Sequence, residues 1–288
     1  MGKKQIILLV FAIATTVAIY LFFPVGTQNN NNNQAKGGAA RDQAPMEEKI
    51  FTIDAYIAEV NAALATDLKK KSAEYLASIE GTNNFDQNIK DYTSLVDLYS
   101  AAEKPEIAAF YIYKKAQLIR EPKVWEKSGD NFIALYADNL MDERLRKDVM
   151  KKAIDSYLNA SNADTSNLDV KVKLAQCYME GSNEVMNGVT LLLNVVQTNP
   201  SHYGANLLLG KFGIVSGQYE KAIARLEKVV SLQSEKIEGY FLLTDAYAGN
   251  KNFDKAIETL SKAKKISKDK ELIAQIDAAI AQLKQKTN

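Results

Sequence analysis

The residue types that most often perform catalysis or bind metals are scarce in this 288-residue chain. It contains one cysteine, Cys177, and one histidine, His202. A cysteine nucleophile needs a nearby general base, and His202 is the only histidine that could serve. A single cysteine also excludes an internal disulfide and a zinc site built on several thiolates. We therefore expect Cys177 to pack in the interior and His202 to lie in a turn.

Acidic and basic clusters offer weak alternatives. Asp142 and Glu143 could supply paired carboxylates for an enzyme, a hypothesis that the scarcity of histidine and cysteine disfavours. The loop at 181–188 lacks the ligand spacing of a calcium site, and the basic run at 262–270 is typical of a solvated helix face. The formal net charge of +1 gives no reason to expect nucleic-acid binding. We expect no enzymatic activity, no cofactor and no bound metal.

The first 25 residues predict a membrane anchor. Residues 6–23 contain no charged side chain, and at about 1.5 Å per residue they span roughly 27 Å, close to the hydrocarbon thickness of a bilayer. Because Lys3 and Lys4 precede this run, we expect the N-terminus in the cytoplasm and the rest in the periplasm. The protein would then be a single-pass protein of the inner (cytoplasmic) membrane. A cleaved signal peptide is the alternative, although its apolar core usually has about 7–15 residues.

A polar segment at 26–47 follows the anchor. Its asparagine run, with glycine, alanine and glutamine around it, cannot bury apolar surface, so it predicts a disordered tether. We therefore expect three regions, namely a cytoplasmic stub and anchor at 1–25, the tether at 26–47 and a helical domain at 48–288. Proline is scarce and Ala, Leu, Lys and Glu recur, which favours helices throughout the third region.

The helical domain repeats itself at an interval of 34 residues. SGQYEKAIARLEKVV at 216–230 is matched by NKNFDKAIETLSKAK at 250–264, and the residues upstream of each stretch also correspond. Each unit reads as a helix, a turn and a second helix, with an apolar face that a neighbouring unit must cover. Three degenerate copies precede these units, around Leu95, Trp125 and Leu174. The copy around Trp125 predicts an insertion from Ile133 to about Asp148, most simply extra helical turns.

This pattern resembles the tetratricopeptide repeat family, whose period is 34 residues. In the unit that begins at Ile237, the residues on the family pattern are Tyr240, Leu243, Thr244, Tyr247, Ala256, Leu260 and Ala263. The resemblance covers about residues 89–270 and implies an all-α fold, a right-handed solenoid of helical hairpins. A long helical run or hairpin at 51–80 would precede the repeats, with Asp86 as the N-cap of the next helix. A helix from Lys270 would cap the last repeat.

The resemblance also implies a binding surface, because the first helix of each hairpin in this family lines a concave groove. By helical spacing, the groove residues are Val172, Gln176, Met179, Leu207, Lys211, Ile214, Phe241 and Asp245. We expect them to bind a peptide or partner protein. The protein would be a membrane-tethered interaction scaffold, and fold-level analogy suggests envelope assembly, secretion or maturation as its role. The alternative is a structural homo-oligomer that stacks through its repeats and has no separate client.

Overall fold

The computed structural model describes residues 50–182 and 184–287, and this part of the chain is helical, with no strand. The predicted anchor and tether lie outside the described residues. No helix within the described ranges has the length and apolar content needed to cross a membrane. The described part contains thirteen α-helices and one 3-10 helix (Glu143–Leu145): α1 Ile53–Ala63, α2 Thr66–Gly81, α3 Phe85–Ala101, α4 Pro105–Ile119, α5 Pro122–Tyr136, α6 Arg146–Ala163, α7 Leu168–Gly181, α8 Val185–Thr198, α9 Tyr203–Val215, α10 Tyr219–Leu232, α11 Ile237–Gly249, α12 Phe253–Ile266 and α13 Lys270–Thr287.

The described residues fall into two compact units, divided between Leu209 and Gly210. The N-terminal unit contains α1 to α8 and the first half of α9. The C-terminal unit contains the second half of α9 and α10 to α13. Within the N-terminal unit the pairs α3–α4, α5–α6 and α7–α8 pack closely, and α11–α12 does so in the C-terminal unit. The all-helical hairpin architecture predicted from the sequence is thereby confirmed.

Three hairpin turns share one backbone geometry. Glu103, Gly217 and Lys251 each lie two residues before a second helix, and their φ angles are positive, at 55°, 72° and 58°. In each turn the next residue's amide donates to a carbonyl five positions earlier, at 2.7–2.9 Å. Glycine adopts this left-handed conformation most readily, which suits Gly217. The turn at Glu103 shows that the first degenerate copy has the same register as the two strong ones.

The predicted insertion is a turn followed by additional helix. α5 ends at Tyr136, the chain turns at 137–142, and the 3-10 helix leads directly into α6. α6 has 18 residues, whereas α10 has 14. The extra helical residues therefore lie at the start of α6, next to Asp142 and Glu143, where the sequence placed them.

Helix packing on both sides of this insertion keeps the register of the uninterrupted repeats. A Cβ added at Gly129 of α5 would lie 2.6 Å from the Tyr157 ring of α6. A Cβ added at Gly210 would lie 2.6 Å from Cγ of Leu226. Both glycines therefore allow a large side chain of the second helix to approach the first helix closely.

The two ends of the described chain agree with the predictions in most respects. The run at 51–80 forms the two helices α1 and α2. The predicted N-cap Asp86 is wrong, because α3 begins one residue earlier and the Asn84 side chain accepts from the Gln87 amide at 3.0 Å. α13 packs on α12 as a cap, with Ile276 buried.

Candidate partner-binding surface

In the N-terminal unit, the predicted groove residues lie on α7 and α9 and retain some exposure. Gln176 is exposed on α7, and its amide donates to Glu180 at 3.1 Å. Val172, Met179 and Leu207 are partly buried. All four side chains are at least partly exposed, so a partner could contact them. Their assignment to a groove stays a prediction.

In the C-terminal unit, the predicted residues divide into accessible and buried ones. Lys211 is exposed and Asp245 is partly buried. Phe241 is only 5% exposed and Ile214 only 9%. Helical spacing identifies the face of the helix on which these two apolar side chains lie. In the folded unit, however, most of the surface of each side chain is covered. Phe241 and Ile214 therefore pack in the unit and contribute little open surface.

Asp245 has an unusual environment for a carboxylate. Burial raises the pKa of Asp245 to about 7, because a partly desolvated site disfavours the charged form. Within residues 50–182 and 184–287 the Asp245 side chain has no hydrogen bond and no ion pair. An unpaired carboxyl group in such a site is costly, and a donor or a cation brought by a partner would stabilise its charged form.

The corresponding position on α5 carries a carboxylate that sequence reasoning missed. Asp130 lies 115 residues before Asp245, as Trp125 does before Tyr240, so the two acids share a place in their repeats. Lys173 of α7 lies 2.7 Å from Asp130 and 2.8 Å from Glu126. The Tyr157 hydroxyl also donates to Asp130, at 2.8 Å. Counting from Trp125 would have identified Asp130 and Glu126, whereas their contact with Lys173 is visible only in three dimensions.

The residues with possible chemistry have structural roles instead. Cys177 is 2% exposed, and burial raises the pKa of its thiol to about 12. His202 lies before α9, where its Nδ1 accepts from the Ala205 amide at 3.4 Å, and its Nε2 lies 3.3 Å from Asp169. His202 therefore serves as a cap at the start of α9.

The acidic pair of the insertion is also held by ion pairs. Asp142 contacts Arg144 at 2.7 Å, and Glu143 contacts Arg146 at 2.7 Å. Hydrogen bonds from Arg144 lower the pKa of Asp142. Over the residues that the structure describes, no group of three His, Cys, Asp or Glu side chains could hold a metal ion.

Comparisons with known proteins identify the repeat type. Residues 214–283 match the family model of the tetratricopeptide repeat. A crystal structure of the MamA protein is similar, with a TM-score of 0.50, 19% identity, and coverage of 63% of this chain and 92% of MamA. MamA from Desulfovibrio magneticus RS-1, residues 41 to the end, has a TM-score of 0.49, 18% identity, and coverage of 62% and 94%.

A third solved structure, YrrB, is described as a TPR protein with an unusual peptide-binding site. Its TM-score is 0.47 and its identity 19%, with coverage of 68% of this chain and 98% of YrrB. A search of curated protein sequences gave no match. The family match confirms the tetratricopeptide prediction over residues 214–283, and the likeness to MamA at this low identity shows a shared fold.

Proposed function

We propose that this chain is a non-enzymatic scaffold that holds a partner polypeptide against the first helices of its repeats. The tetratricopeptide match over residues 214–283 supports this proposal, as do the hairpins within each unit. Helical repeats present rows of side chains that suit an extended or helical partner. The packing of Cys177 and the ion pairs of Asp142 and Glu143 also favour a scaffold over an enzyme.

The observation that carries the proposal is the state of Asp245. Its repeat equivalent, Asp130, is paired with Lys173 and Tyr157, whereas Asp245 has no partner among the described residues. A partner with a lysine, arginine or free amine at this point would supply the missing cation. We therefore propose that the partner polypeptide places a basic group against α11.

We also propose that residues 6–23 anchor the scaffold in the inner membrane, with the repeats in the periplasm. The uncharged run and the lysines before it, Lys3 and Lys4, support this location. A scaffold held at the membrane suits a role in envelope assembly, secretion or protein maturation.

Photocrosslinking in cells tests the binding site. A photoreactive residue at Ala248, one helical turn after Asp245 and partly exposed, would capture a polypeptide bound at this part of α11. The full-length chain would be compared with Asp245→Asn, which keeps the shape and removes the charge. Asp254→Asn, the same change at an exposed position of α12, is the matched control.

We expect the unaltered chain and the Asp254→Asn control to capture one and the same protein. We expect Asp245→Asn to lose at least nine tenths of that product, because one charge-assisted hydrogen bond contributes about 1.5–3 kcal/mol. Circular dichroism of all three chains would establish equal folding. Equal capture by the three chains would show that Asp245 does not contact the partner, and the proposed site would be wrong.

A further inference from the structure

The start of the described chain is attached to the insertion between α5 and α6. The guanidinium of Arg144 lies 4.2 Å from the ring centroid of Phe51, and it forms an ion pair with Glu59 at 3.0 Å. The Ile53 amide donates to the buried Asp148 carboxylate at 2.8 Å. These contacts come from the insertion and the first turn of α6. The point at which residue 50 enters the N-terminal unit is therefore fixed beside the insertion.

The insertion presents one large apolar side chain to solvent. Leu140 is 92% exposed, the greatest exposure among the large hydrophobic residues of the described part. Its backbone is held in place, because its amide donates to the Asp138 carboxylate at 2.9 Å and the next residue, Met141, is buried. The turn therefore holds the Leu140 side chain in a position exposed to solvent. Ile50, at the entry of the chain, is also an exposed apolar side chain.

We propose that Leu140 inserts into the interfacial region of the lipid bilayer, so that the insertion is the membrane-facing edge of the N-terminal unit. This inference rests on the proposed anchor at residues 6–23. Only about 26 residues separate that anchor from Ile50. Because this segment joins the unit beside Arg144, the insertion is the part of the unit held nearest to the membrane.

A lipid surface fits this edge better than a protein groove does. Leu140 projects alone from a turn, and a single protruding leucine can enter the interface without a complementary pocket. Arg144 pairs with Asp142 and Arg146 pairs with Glu143, so Asp138 is the one carboxylate of residues 137–146 whose charge the arginines of this turn do not balance. Burial of apolar surface is then the main driving force.

The test uses the full-length chain in phospholipid vesicles. Leu140→Cys would carry an environment-sensitive fluorophore, and Leu158→Cys would carry the same label as the matched control. Leu158 is 40% exposed and lies twelve residues into α6, about 18 Å along the helix axis from its start. The native Cys177 is buried and its thiol pKa is raised to about 12, so it will not take up the label.

We expect the label at position 140 to show blue-shifted emission, and to be quenched by lipids with a nitroxide near the headgroup. The label at 158 should show neither effect. Flotation of the vesicles tests separately whether the protein is bound to the membrane. If the protein floats with the vesicles but both labels show the emission of an aqueous environment, the inference about Leu140 is wrong, whereas the proposed anchor is retained. If the protein does not float, the proposed location fails, and the inference fails with it.

Discussion

The two units differ in whether the carboxylates that are shielded from solvent, fully or in part, have internal partners. In the N-terminal unit, buried Asp148 accepts from the Ile53 amide at 2.8 Å and lies 3.6 Å from Lys152. Asp91, also buried, accepts from Ser78 at 2.6 Å and from Gln87 at 2.9 Å. In the C-terminal unit, Asp245 has no such partner within the described ranges. This difference indicates that the N-terminal unit supplies internal partners for Asp91 and Asp148, whereas Asp245 is available to an external group.

The units also differ in how their hairpins are packed. The C-terminal unit contains the segment that matches the family model, and both units use a small-to-large contact, Gly210 against Leu226 and Gly129 against Tyr157. In the N-terminal unit, Ser128 and Ser156 form a buried hydrogen bond at 3.0 Å between α5 and α6. Tyr113 packs edge-on against Trp125, with ring centroids 5.7 Å apart. The same hairpin can thus be stabilised by different side chains, which explains why the repeat signal is weaker there.

The largest expected effect comes from Asp148→Asn in the N-terminal unit. The change removes the charge that pairs with Lys152 and weakens the hydrogen bond from Ile53. We expect a loss of about 2–3 kcal/mol in the free energy of unfolding, because a buried ion pair loses one partner. Urea unfolding of the full chain measures the loss, and faster amide exchange at Ile53 would locate it. Unchanged stability would mean that Asp148 is not a structural carboxylate.

The same substitution at Asp245 should have the opposite sign. The pKa of Asp245, about 7 in the folded chain, exceeds the usual value near 4, so the folded state holds a proton that the unfolded chain releases. Stability is therefore lost as the pH rises from about 4 through 7. At pH 8 we expect Asp245→Asn to be more stable than the unaltered chain by about 1–3 kcal/mol.

The pH dependence provides the control for this second prediction. Urea unfolding at pH 5 should give a much smaller difference between Asp245→Asn and the unaltered chain than unfolding at pH 8. A difference that does not change between these pH values would show that Asp245 ionises normally, and the contrast with Asp148 would then disappear.

The smallest effects test whether the two units share the turn geometry. Glu103→Gly and Lys251→Gly should each raise the free energy of unfolding by about 0.5–1 kcal/mol, because both residues have a positive φ. Gly217→Ala, at the equivalent turn, should lower it by about 1 kcal/mol. Thermal unfolding measures all three. If Lys251→Gly raised the free energy of unfolding and Glu103→Gly did not, the two turns would differ in backbone strain.

Much of the fold could be predicted because the repeat period is a local property of the sequence. The spacing of Leu209, Leu226, Leu243 and Leu260 at 17 residues marks successive helices, and the insertion appears as a break in that spacing. The N-cap of α3 was misplaced because Asn84 and Asp86 are both good capping residues. Sequence does not tell which of them keeps an extended backbone, as Asn84 does.

The candidate site could be predicted only in part. Helical spacing places Phe241 and Asp245 on one face of α11, but it does not tell how far other helices cover that face. Phe241 is buried for this reason. The pairing of Lys173 with Asp130 joins residues 43 positions apart, so it depends on how α5 and α7 pack. That packing determines that Asp130 is paired with a lysine. Asp245, at the equivalent place in its repeat, is left without such a partner among the described residues.

The burial of Cys177 has a consequence for the redox behaviour of the molecule. Reaction with peroxide or with another disulfide requires a thiolate, and a thiol with a pKa of about 12 is almost fully protonated at neutral pH. Since Cys177 is also shielded from solvent, the folded chain has no accessible thiol to form a mixed disulfide. The repeats should therefore keep Cys177 as a free thiol in reducing and in oxidising surroundings.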